Sequence, residues 1–259
     1  MTRTALVLLA VLSGVLAMAV MAAPPAWAQQ LSIDLGNGDG TMTARVVQLV
    51  ALITVLSVAP GILLMTTSFI RIIVVFSILR HAMGTQTTPP NMLLMGLSLF
   101  MTMFIMAPTF EQSWESGIAP LVNEQIDEFE AFDRAVVPLR EFMLRHTRPK
   151  DLALMIDLSN APPETTADDA SLAAIVPAFV ISELRRAFEI GFLIYVPFVI
   201  IDMVIASVLM SMGMMMLPPM MLALPFKLVF FVLVDGWYLV VGSLVQSFGE
   251  AGVAIPPGG

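Results

Sequence analysis

MGMMMLPPMM, residues 212–221, divides the apolar second half of this chain in two. Methionine is unbranched and polarizable, so a cluster of such side chains makes a deformable apolar plug. Pro218 and Pro219 lack an N–H donor, and their rings clash with the preceding turn, so one helix cannot run through them. A soft, glycine-marked stop between two long apolar segments suggests a gate formed by Gly213, Met214, Met215, Met216, Pro218 and Pro219.

The whole composition agrees with a membrane setting. Hydrophobic residues make up 58% of the 259 positions and charged ones 12%, with a mean hydropathy of +0.90, far from the globular range. A net charge of -8 argues against nucleic-acid binding, which needs a basic surface. With no cysteine, disulfides, thiolate nucleophiles and cysteine-ligated metals are excluded.

At the N-terminus, Arg3, the apolar stretch 5–21 and Ala26-Trp27-Ala28 read as a signal peptide over 1–28, cleaved before Gln29. Uncleaved, it would be an anchor helix. The leader 29–45 contains Gly36-Asn37-Gly38-Asp39-Gly40, but Leu35 and Val46 stand where a calcium loop needs its outer carboxylates. It is read as a flexible exported linker.

Four segments, 46–70, 92–110, 191–217 and 220–248, approach or exceed the about 20 residues that cross a hydrocarbon core. They form two apolar helical pairs, 46–110 and 186–248, giving an all-α membrane protein in two hairpin-like halves. A short connector over 71–91, carrying Arg71, Arg80 and His81 and no acid, belongs in the cytoplasm by the positive-inside rule. The region between the halves, 111–185, is acidic. Over 111–171 it holds thirteen Asp or Glu against five Lys or Arg, which places it in water on the exported side. Val122, Ile126, Phe129, Phe132, Val136, Leu139 and Met143 recur at helical spacing, so one amphipathic helix bent near Pro138 is expected there. A loop over 159–169 and a second helix from Leu172 into the third apolar segment follow, with Glu183, Arg186 and Glu189 as surface neighbours. The tail is 249–259.

Asp202, Lys227 and Asp235 are ionisable groups inside apolar segments, each costing about 3 kcal/mol or more unless paired or wetted. If residues 213–219 are unwound, Asp202 lies ten residues before one helix end and Lys227 seven after the next helix start. The offset is then about 5 Å, which a lysine stem spans. An Asp202 to Lys227 ion pair follows, serving either structure or proton transfer. No catalytic or metal-binding arrangement is present: two histidines predicted on opposite membrane sides make no site, and no nucleophile elbow or P-loop occurs. Neither enzymatic activity nor a cofactor is expected.

LSVAPGILLMTTSFIRIIVVFSILRHAMGTQTTPPN (residues 56–91) and VPAFVISELRRAFEIGFLIYVPFVIIDMVIASVLMSMGMMMLPPMMLALPFKLVFFVLVDGW (residues 176–237) closely resemble the FliP family of flagellar type III export-gate proteins. Virulence injectisome counterparts share these blocks but typically lack the cleaved signal and long leader, so the flagellar branch is preferred. The resemblance implies five copies assembled with FliQ and FliR into a helical, cone-shaped core raised largely above the bilayer plane. It also implies neighbours FlhA and FlhB, unfolded proteins as substrates, and a place in the bacterial inner membrane at the flagellar basal body, with the acidic region on the periplasmic side. Carried over, Met214, Met215 and Met216 would line the constriction as a gasket. A different class, an ion-coupled small-solute transporter using Asp202, Lys227 and Asp235, would predict an internal repeat, and the first apolar pair does not repeat the charges of the second.

Overall fold

The first apolar segment breaks at Thr66, Thr67 and Ser68, because the hydroxyls of Thr66 and Thr67 compete for the carbonyls that would continue the helix. Thr66 Oγ1 donates to the Leu63 carbonyl at 3.1 Å and Thr67 Oγ1 to that of Leu64 at 3.0 Å. A computed structural model describes residues 42–85, 87–159, 162, 166–167, 169–213 and 218–249. The expected signal peptide over 1–28, most of the leader 29–45, Met214, Met215 and Met216, and all of the tail but Gly249 lie outside them. Every long regular element among the described residues is an α-helix.

The chain divides into two units, Met1–Ser57 and Val58–Gly259. In the first, the described residues open helix α1 (Met42–Met65), with Val47, Ile53 and Leu56 exposed. Thr54 and Ser57 return their hydroxyls to the carbonyls of Val50 and Ile53, so these two hydroxyl hydrogens are satisfied within the helix.

In the second unit, α2 (Phe69–Ala82) follows the break. A short connector over 71–91 is the sequence expectation, yet most of it is this helix, and Ile72, Val75, Phe76 and Leu79 are buried in the core. Arg71 cut the apolar reading short; with its charge neutralised in place, the helix runs on inside the protein. Helix α3 (Asn91–Ser113) continues through a π turn, Trp114–Ile118, into Ala119–Val122. A Cβ on Gly117 in that turn would stand 2.5 Å from the Ala131 carbonyl oxygen and 2.7 Å from Ala135 Cβ, so glycine is what lets the next helix lie so close.

That next helix, α4 (Glu128–His146), starts where the Asp127 carboxylate accepts the Glu130 N–H at 2.8 Å. The expected helix through Pro138 is α4, but it starts six residues later than the stripe, because Val122 ends the preceding helix and Ile126 lies in the turn between; a further helix, α5 (Pro149–Leu158), follows, and the stripe is only half covered. Met143 is 2% exposed, whereas Phe129 is 85% and Phe132 64% exposed. Helix α6 (Leu172–Ser211) is continuous from the acidic region into the third apolar segment, about 60 Å long at 1.5 Å per residue. Helix α7 (Pro219–Leu233) and α8 (Gly236–Gly249) divide what reads as one segment over 220–248, meeting at 62°. Asp235 takes the left-handed backbone there, φ 50°, which its short polar side chain tolerates.

Two core clusters result. One surrounds α2, with Met101, Phe198, Phe231 and Leu244 from α3, α6, α7 and α8. The other joins Met106, Phe142, Leu152, Phe179 and Phe248 beneath α4 and α5. By length and apolarity, Asn91–Val122 and Leu172–Ser211 can each cross a membrane, and the broken pairs α1–α2 and α7–α8 bring the number to four if each counts as one span.

Candidate functional site

Two buried charge clusters hold α2 against the long helix α6. At its first turn, Arg71 is 2% exposed and Glu183 of α6 is fully buried. Arg71 Nε donates to Glu183 Oε2 at 2.8 Å and Nη2 to Oε1 at 2.5 Å, a two-pronged pairing that fits the planar guanidinium. Nη1 donates to Ser247 Oγ at 2.8 Å and to its carbonyl at 3.2 Å, and the guanidinium carbon stands 3.7 Å from the centre of the Phe248 ring. Helices α2, α6 and α8 are thereby joined through one side chain.

At the other end of α2, Lys227 of α7 donates to Asp202 Oδ2 of α6 at 2.6 Å and to the carbonyl of Ala82, the last residue of α2, at 3.1 Å. A cation on that carbonyl also suits the negative end of the helix dipole. Lys227 is 5% exposed, while the Asp202 side chain keeps 35% and its Oδ1 has no hydrogen-bond partner among the described residues. Asp235 does not join this pair; it is exposed at the α7–α8 break.

Around the methionine run, the described boundaries are those of a helix stop. Helix α6 ends at Ser211, and Gly213 follows with φ 72°, a conformation that glycine adopts without strain. Pro218 caps α7 and Pro219 occupies its first turn, where a missing N–H costs nothing. Met214, Met215 and Met216, the expected gasket, lie outside the described residues.

In the acidic region, Asp151 at the start of α5 accepts Ser182 Oγ at 2.7 Å and Arg148 Nε at 2.7 Å. Burial pushes the Asp151 carboxyl up, but those hydrogen bonds and the Arg148 charge outweigh it and hold the group below the usual carboxylate range. Burial pushes His146 down from its ordinary value, and the charges of Arg71 and Arg145 act the same way against the Phe142 carbonyl, which accepts from the ring.

Glu183 reads from sequence as part of a solvated i, i+3 face, and the structure overturns that. Arg186 and Glu189 do approach, at 3.6 Å, but Glu183 turns inward to Arg71. The available signal was Arg71 itself, set in the apolar run FIRIIVVFSIL, where a buried charge needs a partner. Nothing in linear spacing picks out a residue 112 positions away.

The model of the FliP family matches residues 52–244 of this chain. Among curated relatives, the chain is 56% identical to the flagellar biosynthetic protein FliP of Caulobacter vibrioides over 233 residues, covering 90% of this chain and 87% of that one. It is 52% identical to the Rhizobium meliloti protein of the same name, over 86% of this chain and 93% of the relative. Likeness to the Bacillus subtilis FliP is 53%, over 82% and 96% of the two chains.

Proposed function

This chain belongs to the FliP family, and on that premise we propose that it is a core pore-forming subunit of the flagellar type III protein export gate, conducting unfolded flagellar proteins across the inner membrane. Family membership and the apolar helices make it a membrane-embedded component of flagellar biosynthesis and protein export, a transport part and not an enzyme. In our reading, five copies join FliQ and FliR in a cone-shaped helical core next to FlhA and FlhB, with the acidic helices α4 and α5 on the periplasmic side.

The observation that carries the gate is the interrupted path between α6 and α7. Two apolar helices stop at a left-handed glycine and restart at a proline pair, and the intervening residues are Met214, Met215, Met216 and Leu217. Copies of that run around one axis would close a passage by contacts between flexible thioethers. Branched side chains would match one cargo shape, whereas methionine repacks around many, so a tight resting seal and tolerant passage go together. In this scheme Asp202 and Lys227 are structural: they fix the helices on either side of the run, and a balanced pair is the less costly way to keep charges there. The test is ion conductance of membranes carrying the assembled complex. Replacing Met214, Met215 and Met216 together by Gly is expected to raise the resting leak; an unchanged leak with intact assembly would refute the gasket.

A further inference from the structure

Helix α8 ends in the wall of a cavity. That cavity, about 350 Å³, is an apolar slot bounded by Phe104 and Pro108 of α3, Phe142 of α4, and Val245, Phe248 and Gly249 of α8, with Arg145 and His146 at its polar end. Its volume lies within the range of about 300–1,000 Å³ that bound groups fill. Phe104 is 72% exposed, so covering the slot removes a large aromatic surface from water. An adjoining cavity of about 420 Å³ shares Arg145 and His146 and adds Arg71, Arg148, Arg186 and Ser247.

Positive charge is in excess around the polar end. Glu183 holds Arg71, and Asp151 holds Arg148. Glu189 is shared, with Arg185 at 2.8 Å and Arg186 at 3.6 Å, so Arg186 has the weaker hold on one carboxylate. Arg145 has no carboxylate within ion-pair distance among the described residues. One further carboxylate fits this wall of guanidinium groups.

We propose that the tail of the same chain, EAGVAIPPGG over 250–259, folds back here as a strap, with Glu250 facing Arg145 and with Val253 and Ile255 lying in the slot. The described residues stop at Gly249, itself part of the slot wall, so the tail begins at the place it would cover. Glu250 follows three residues after Ser247, which lines the arginine cavity, and that spacing is one helical turn.

The order of residues in the tail matches the order of surfaces it meets. An acid comes first, beside the arginines; Gly252 then allows the chain to turn back. In an extended strand Val253 and Ile255 point to one face, and Pro256-Pro257 holds the following residues extended. Six residues from Gly249 to Ile255 reach at most about 20 Å, enough to lie along the slot. Tethering also sets the local concentration of the tail at about the millimolar level, so modest contacts hold it. The strap fastens the end of α8 to α3 and α4, beside the grip of Arg71 on Ser247.

The natural chain has no cysteine, so an engineered pair is the one disulfide that forms within it. Full-length chain carrying Thr109→Cys, in the slot wall, with Ile255→Cys is purified as the assembly in mild detergent and oxidised with diamide. A disulfide within one chain is expected, forming about tenfold faster than for Phe129→Cys with Ile255→Cys, where Phe129 is exposed and outside the slot. Arg145→Glu should slow it by about tenfold, the ratio one charge-assisted contact supplies, and adding Glu250→Arg should restore it. A rate no faster than the Phe129→Cys control, or one indifferent to Arg145→Glu, would overturn the strap, as would a disulfide joining two copies. Labelling of Thr109→Cys alone by a maleimide should speed up when Val253→Asp and Ile255→Asp are added. Equal protection with and without those changes would give the slot to another subunit or to lipid, and would overturn the proposal.

Discussion

Arg71 and Glu183, 112 residues apart, meet through hydrogen bonds of 2.8 and 2.5 Å with neither side chain more than 3% exposed. Together with Lys227 on Ala82 and Asp202, they pin α2 to α6 at both of its ends. Helix α2 therefore runs alongside α6 in the same direction, with Ile78 packed on Gly191 between the two clusters. The α6 helix leads from this doubly held region directly to the glycine where the methionine run begins.

Removing one partner of the first cluster leaves a buried charge uncompensated. Glu183→Ala should lower stability by about 3–5 kcal/mol, while the double change Arg71→Met with Glu183→Leu should cost far less. Thermal unfolding of the detergent-solubilised protein measures both, and equal losses in the two variants would contradict an ion pair held chiefly by mutual neutralisation.

For the second cluster, Lys227→Met leaves Asp202 without its cation and the Ala82 carbonyl without its donor. Reduced assembly is the expected result, read from the yield and mass of the purified particle. Normal assembly with altered proton or ion movement would instead support a relay through Asp202, whose Oδ1 has no hydrogen-bond partner among the described residues.

His146 gives the junction of α4 and α8 a pH dependence. Its folded pKa is depressed, so the unfolded chain takes up the proton first. Stability is then full above the ordinary value of 6.5 and is lost as pH falls from there toward the depressed value. Arg71 and Arg145 face the ring and sharpen the effect, while Asp151, also depressed, stays ionised over this window. Melting temperatures at about pH 7.5 and about pH 5.5 should differ less in His146→Gln than in wild type.

Gly117→Ala tests the close crossing of α4 over the π turn. The added methyl meets the backbone of Ala131 and Ala135, which cannot rotate away, so a loss of about 1–3 kcal/mol is expected in the same unfolding assay. No loss would mean that the turn relaxes without cost.

What was legible in the sequence was whatever has a local cause. Pro218, Pro219 and Gly213 mark the stop because their backbone limits act within a turn, and the offset between Asp202 and Lys227 could be counted along two helices from that stop. What escaped depended on tertiary partners. Helix α2 is hidden because Arg71 looks like a boundary until Glu183 neutralises it, and Glu183 reads as solvated because its i, i+3 spacing to Arg186 and Glu189 is that of a charged helix face. The breaks at Thr66–Ser68 and Asp235 were missed because hydropathy averages over hydroxyls and over a single left-handed residue. Phe129 and Phe132 kept their helical spacing, yet periodicity does not tell whether the same chain covers them.

The most direct test of the account is a density map of the assembled gate at side-chain resolution. The side chains of Met214, Met215 and Met216 from successive copies should converge on the central axis and close it. Methionines turned into the helix packing, with an open axis or one closed by other residues, would contradict the claim that this run is the seal.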